Sequence, residues 1–87
     1  MTFGEKKEYL AELNPDAYLF DGYEDAFIGI VHSCDGRALA CYDYHKCINI
    51  LMKRDKMSYS EAMDYFDFNT MGCCLGPNTP VFFRNLE

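Results

Sequence analysis

Apolar and polar positions alternate along this chain in two distinct rhythms. Residues 2–13 carry Phe3, Leu10 and Leu13 as a thin apolar stripe at helical spacing, with Glu5, Glu8 and Glu12 on another face. Thr2 stands three residues before Glu5, the signature of a capping box, and Asn14-Pro15 ends the pattern. The spacing therefore predicts a helix over 2–13. Residues 26–34 and 37–43 are apolar runs flanking Asp35-Gly36. They predict two strands joined by a two-residue hairpin turn. In that register His32 faces Leu39, Ile30 faces Cys41 and Gly29 faces Tyr42. Ile28, Ile30, His32, Leu39 and Cys41 then share one side, and Phe27, Val31, Ala40 and Tyr42 the other. A lone hairpin with two apolar sides is not stable, so cover or a wider sheet is expected.

Helical spacing returns at 44–54, with Asp43 as N-cap and Cys47, Ile48, Leu51 and Met52 inward. Lys53, Arg54 and Lys56 close it, which suits the negative end of the helix dipole. Ser58 and Glu61 form a second capping box for a helix over 59–71, with Tyr59, Ala62, Met63 and Phe66 inward and Gly72 as its stop. Pro80 opens a last short strand that is expected to pair with the hairpin. Tyr18–Phe20 reads as a further short strand, followed by an Asp21-Gly22 turn. The expected fold is α+β: a small antiparallel sheet, made of the β-hairpin plus the C-terminal strand, packed with two helices and preceded by a short N-terminal helix. One domain spans 1–87, divided into an acidic helix (1–15) and an α+β core (16–87).

Composition supports a packed core. The 87 residues are 49% hydrophobic and 16% aromatic, too apolar for a disordered chain. No run is long and apolar enough to span a membrane, and the N-terminus lacks the apolar stretch of a secretory signal. Five cysteines without a C-x-x-C pair read as reduced and mostly buried, in a cytosolic setting.

Charge changes the picture most. Residues 1–35 hold eight acids against Lys6 and Lys7, so they carry the whole net charge of −6; the rest is neutral. Such a polarised domain repels nucleic acid and anionic lipid and presents its acidic end to a basic partner.

Four kinds of chemistry can be weighed against plainer readings. His32, Cys34, Cys41, His45 and Cys47 hold zinc-type donors, but their spacing matches no common ligand pattern. Asp43, His45 and Cys47 suggest a Cys–His pair, yet residues two apart on a helix do not face one another, and no phosphate loop or nucleophile elbow is present. No catalytic residue, metal or cofactor is therefore assigned. Lys53, Arg54 and Lys56 are the one basic cluster, too small a footing for direct nucleic-acid binding. The fourth is an acidic interaction surface: Glu5, Glu8, Glu12 and Asp16, then Asp21, Glu24 and Asp25, with Tyr9, Tyr18 and Tyr23 among them. Acids at such intervals imitate a phosphate backbone to a basic groove, and tyrosines add contact area at low entropic cost. The plainer reading is a solvated face that confers solubility.

The order of motifs resembles a group of short proteins encoded by tailed bacteriophages. The resemblance is carried by the Asp21–Gly29 segment (DGYEDAFIG), Tyr42–Ile48 (YDYHKCI), Met57–Phe66 (MSYSEAMDYF) with Asn69, and Gly72–Val81 (GCCLGPNTPV). It covers roughly residues 21–83. Cys73 and Cys74 stand where such proteins tend to have a small residue and an aromatic one, and the acidic helix lies outside the shared region. The resemblance implies a phage setting and no reaction. The resulting expectation is a non-enzymatic accessory protein acting in the host cytoplasm. It would be a monomer or small homo-oligomer that binds a host protein with a basic surface, such as a nucleic-acid-handling or CRISPR defence complex, and inhibits or modulates it. The alternatives are a small zinc-binding module and a phage structural or assembly protein.

Overall fold

A computed structural model describes residues 1–86. The helix α1 (Phe3–Leu13) is followed by a coil and a single 3-10 turn (Glu24–Ala26). Then come the strands β1 (Phe27–His32) and β2 (Ala38–Asp43), the helices α2 (Tyr44–Arg54) and α3 (Tyr59–Phe66), a π-helical turn (Asp67–Met71) and the strand β3 (Val81–Phe83). This is the expected α+β architecture, with differences in the hairpin register, the direction of β3 and the segment Tyr18–Phe20.

Local chemistry fixes the helix starts. Thr2 Oγ1 accepts from the Glu5 N–H (3.2 Å) while the Thr2 N–H donates to Glu5 Oε1 (2.9 Å). Ser58 and Glu61 repeat the arrangement at α3 (3.2 and 3.0 Å). Asp43 Oδ1 accepts from the Lys46 N–H (3.0 Å) at α2. Each box satisfies N–H groups that a helix start would otherwise leave open. Gly72 does stop the last helical turn, but not through a left-handed conformation. Its φ is −76°, and an added Cβ would lie 3.2 Å from the Phe68 carbonyl oxygen. Close backbone approach, and not φ, favours glycine there.

The first difference is the hairpin register. Only Gly36 takes a positive φ (87°); Asp35 does not. The Asp35 carboxylate instead accepts from the Ser33 hydroxyl, the Arg37 N–H (3.1 Å) and Arg37 Nε (2.9 Å). That network holds a three-residue loop closed by Ser33 and Arg37, with the Gly36 N–H on the Ser33 carbonyl (2.9 Å). The pairing therefore slips by one: His32 faces Ala38, Val31 faces Leu39, Ile30 faces Ala40 and Gly29 faces Cys41. A bulge at Ile28 then returns Phe27 to Tyr42. Phe27, Ile30, Ala38, Ala40 and Tyr42 share the core face. Leu39 and Cys41 are buried on the opposite face, outside the core cluster.

The second difference is strand direction. β3 pairs with β2 as expected of a third strand, but in parallel, with Cys41 facing Val81 and Tyr42 facing Phe82. The sheet is mixed and not antiparallel. After β2 the chain passes through α2 and α3 before returning, the long crossover that parallel neighbours need. Tyr18–Phe20 is not a strand. Its main-chain links to the body are single hydrogen bonds, Tyr18 N–H to the Asn78 carbonyl (3.2 Å) and Phe20 N–H to Tyr42 Oη (2.9 Å), while the Phe20 ring packs on the core.

Aromatic rings join the elements. Phe66 meets Tyr23, Tyr44 and Phe82 edge-on at centroid distances of 5.6, 5.5 and 5.1 Å. Tyr42 packs against Phe20, Phe27 and Phe82 at 5.9, 5.5 and 6.0 Å. Such geometries add about 0.5–1.5 kcal/mol per pair beyond the area they bury. Leu10, Cys47, Ile48, Leu51 and Ala62 fill the rest of the core. Among the described residues, no helix is long and apolar enough to cross a membrane.

Candidate functional site

Helical geometry sorts the residues of α1. At about 100° per residue, Phe3, Lys6 and Leu10 lie on one side, and Glu5, Glu8 and Glu12 fall within an arc of about 60° opposite it. Burial follows this division: Leu10 is buried and Phe3 and Lys6 are half-buried, while the three glutamates are exposed. Leu13 ends the stripe half exposed. Lys6 turns inward and donates from Nζ to the Phe27 carbonyl (2.8 Å). The acidic face of α1 therefore holds no base of its own helix. The Thr2 main-chain and hydroxyl bonds hold the Glu5 carboxyl below the usual carboxylate range, so it stays charged into mildly acidic solution.

The second group of acids stands differently. Asp16 is exposed just past α1, where its N–H donates to Asn14 Oδ1 (3.1 Å). Tyr18 is exposed. Asp21, Glu24 and Asp25 are exposed around the Gly22 turn, with Glu24 Oε1 accepting from the Gly22 N–H (3.3 Å). Arg54 leans onto this turn. Its guanidinium stands 5.6 Å from the Tyr23 ring centroid and 3.5 Å from the Gly22 carbonyl, besides pairing with Asp55 (3.2 Å). The Asp21–Asp25 acids thus have a cation beside them, whereas the glutamates of α1 have none on their face.

Tyr23 is a correction to the sequence reading. It is 6% exposed and packs on Phe66 and Arg54, so it is a core residue and offers no contact surface. Its place beside acids and Tyr18 gave no sign of this, because the burying groups come from α2 and α3. Tyr9, on α1, is half exposed. It lies one turn from both Glu5 and Glu12 and borders a groove of about 270 Å³ against Phe27, Ile28 and Ile30. Sequence reasoning placed Tyr9 among the acids but had no signal for the groove, which depends on how α1 lies on β1.

The other candidate constellations are not assembled. The one-residue slip puts Cys41 on the face opposite His32, and Cys34 sits in the exposed turn. Cys47 is fully buried in the core, and burial, with the Asp43 charge, pushes its thiol up to about 12, so it is protonated at neutral pH. Among the described residues no three His, Cys, Asp or Glu side chains converge as metal ligands. His45 is exposed, with its ring edge-on to Tyr44. The Asp43 carboxylate is engaged at the Lys46 N–H. Of the basic cluster, Arg54 is committed to Asp55 and the Gly22 turn, and Lys53 and Lys56 point into solvent.

No family model matches the chain, and no curated protein or solved structure is significantly similar to it.

Proposed function

We propose that this chain is a phage accessory protein that acts without catalysis, binding a host protein with a basic surface and inhibiting or modulating it in the host cytoplasm. The nucleic-acid-handling complexes of the host, CRISPR effectors among them, are the partner class, and the protein itself does not bind nucleic acid. One observation carries this reading: the outward face of α1 presents Glu5, Glu8 and Glu12 with no base on it, while Lys6 is turned inward. The rise between these acids is about 4.5 and then about 6 Å, a spacing suited to cations that normally contact phosphates. The phage setting rests on the motif resemblance.

The test is charge reversal with a stability control. Glu8→Lys with Glu12→Lys removes the core of the stripe, and Asp21→Lys with Asp25→Lys removes the group beside Arg54. All four side chains are exposed, so thermal stability should hold. Affinity for the host complex should fall at least tenfold for the α1 pair and less for the turn pair, and wild-type affinity should weaken as salt rises. Unchanged affinity in the α1 pair, or binding indifferent to salt, sinks the mimicry mechanism.

A second reading has its own observation. Tyr65, Phe68, Met71 and Leu75 are exposed along α3 and the segment after it, and Phe68, in the π-helical turn, is 86% exposed. An assembly protein would self-associate through such a neutral apolar surface. Size-exclusion chromatography at two salt concentrations separates the readings: a salt-insensitive oligomer favours assembly, and a monomer favours the inhibitor.

A further inference from the structure

Among the described residues, β1 is an edge strand, with β2 on one side and no strand on the other. The Ser33 N–H donates to the Arg37 carbonyl, so Ser33 and Arg37 form a hydrogen-bonded pair. Alternation along an antiparallel ladder then gives Val31 and Gly29 the bonds to Leu39 and Cys41. The main-chain N–H and C=O groups of Ile30 and His32 consequently point away from β2, toward the open side. Proteins usually blunt such an edge with charge, proline or a bulge. Here the bulge at Ile28 and Lys6 Nζ on the Phe27 carbonyl blunt only its beginning. The part from Gly29 to His32 carries no acid, lysine, arginine or proline.

α1 begins beside this edge and passes over the sheet face toward β2. Phe3 meets Phe27 at 6.0 Å near the start of both elements, whereas at the end of the helix Asn14 Nδ2 donates to the Ala38 carbonyl (3.0 Å), which the same alternation turns away from β1. The groove between the start of α1 and β1 is lined by Met1, Lys6, Tyr9, Ile28 and Ile30. Glu5 and Glu12 flank Tyr9 on the helix side, seven residues apart and hence about 10 Å along the axis.

We infer that the free edge of β1 is a docking site for an extended basic segment of the partner, which adds to the sheet as a fourth strand. The edge supplies main-chain hydrogen bonds at Ile30 and His32. The groove takes every second side chain of the added strand. Lysine or arginine suits those positions, since its aliphatic stem lies along Tyr9 and Ile28 while its head reaches Glu5 or Glu12. The edge and groove make the site; the charge of α1 decides its occupant. A second copy of this chain would bring its own row of glutamates to the same place. This inference rests on the basic-partner reading and deepens it.

The probe is a capped heptapeptide of alternating lysine and valine, titrated into the labelled full chain and followed by amide shifts. Two further versions carry N-methyl groups, one on the lysine amides and one on the valine amides, and a fourth replaces lysine by glutamate. Shifts should concentrate at Gly29–Ser33 and around Tyr9. One methylated peptide should lose at least tenfold in affinity while the other binds like the parent, because only one set of amides faces β1. Glu5→Lys with Glu12→Lys should weaken the parent peptide by a similar factor. Equal binding of both methylated peptides, or equal loss from both, overturns strand addition. If the double variant still loses binding in that case, the acidic-surface reading survives without it. Equal affinity for the glutamate peptide overturns the basic occupant and the charge argument with it. A dimer of the free protein with the Ile30 and His32 amides protected at the interface overturns the inference in favour of a second copy.

Discussion

Replacing Tyr42 by Phe removes one oxygen atom and tests how the acidic segment is fastened to the sheet. Tyr42 is fully buried near the end of β2, and its hydroxyl accepts from the Phe20 N–H at 2.9 Å. Around that point, residues 14–23 form no strand and no helix, and few bonds hold them. The ring of Phe would keep the contacts with Phe20, Phe27 and Phe82, so the change isolates the hydrogen bond. A half-buried main-chain N–H left without its partner costs about 1–2 kcal/mol. A domain of this size has about 4–13 kcal/mol in total, so the loss is a sizeable fraction of it. Tm should fall by about 4–16 °C, since each kcal/mol moves a small domain by about 4–8 °C. Urea denaturation should give a lower midpoint at unchanged slope, and amide exchange should quicken first at Phe20 and its neighbours. Tyr44→Phe is the control: its hydroxyl donates to Asp67 Oδ1 (2.9 Å), a carboxylate that is exposed and finds water instead. It should cost less. A Tyr42→Phe protein within about 0.3 kcal/mol of wild type, with Phe20 exchange unchanged, would refute the idea that this bond anchors the segment.

Three other outcomes follow from the same structure. Burial raises the thiols of Cys47 and Cys41 and the Tyr42 phenol above their ordinary values. Their contribution is fully present below the unfolded values and is lost as pH rises, so stability should decline above about pH 9 and keep falling toward about 12, the Cys47 value. Urea midpoints measured along that limb should flatten in Cys47→Ala relative to its own neutral value; an equally steep limb would show that Cys47 is not responsible. At acid pH the capped Glu5 and Glu61 and the turn residue Asp35 act in the opposite sense. Their carboxyls are lowered, so what they add is present above the ordinary carboxylate range and lost below it. Lys56 follows α2 with φ 54°, a left-handed conformation that costs a side-chain-bearing residue about 1 kcal/mol. Lys56→Gly should therefore raise the urea midpoint, and a lowered midpoint would mean that the side chain contributes more than the conformation costs.

The elements that sequence alone determined are those fixed within a few residues. Thr2 with Glu5, Ser58 with Glu61, and Asp43 ahead of Lys46 set the helix starts through bonds spanning three positions, and such bonds are legible in any window that contains them. The separation of Glu5, Glu8 and Glu12 from Phe3 and Leu10 is equally local, because helical geometry leaves the acids no inward direction. The acidic face of the candidate surface could accordingly be read from the chain.

Tertiary structure decided the rest. Whether Asp35-Gly36 makes a two- or three-residue loop depends on where the Asp35 carboxylate finds its donors, and one residue of slip moved Cys41 away from His32 and dissolved the zinc constellation. The parallel course of β3 follows from the path through α2 and α3, and the burial of Tyr23 from Phe66 and Arg54, thirty and more residues away. The groove beside β1 exists only because the start of α1 lies against that strand, held by Phe3 on the Phe27 ring and Lys6 on the Phe27 carbonyl. Local bonds set which segments are helix and where the charge lies; contacts distant in sequence set which charges remain unopposed and which strand edge remains open, since both depend on what the folded chain brings alongside.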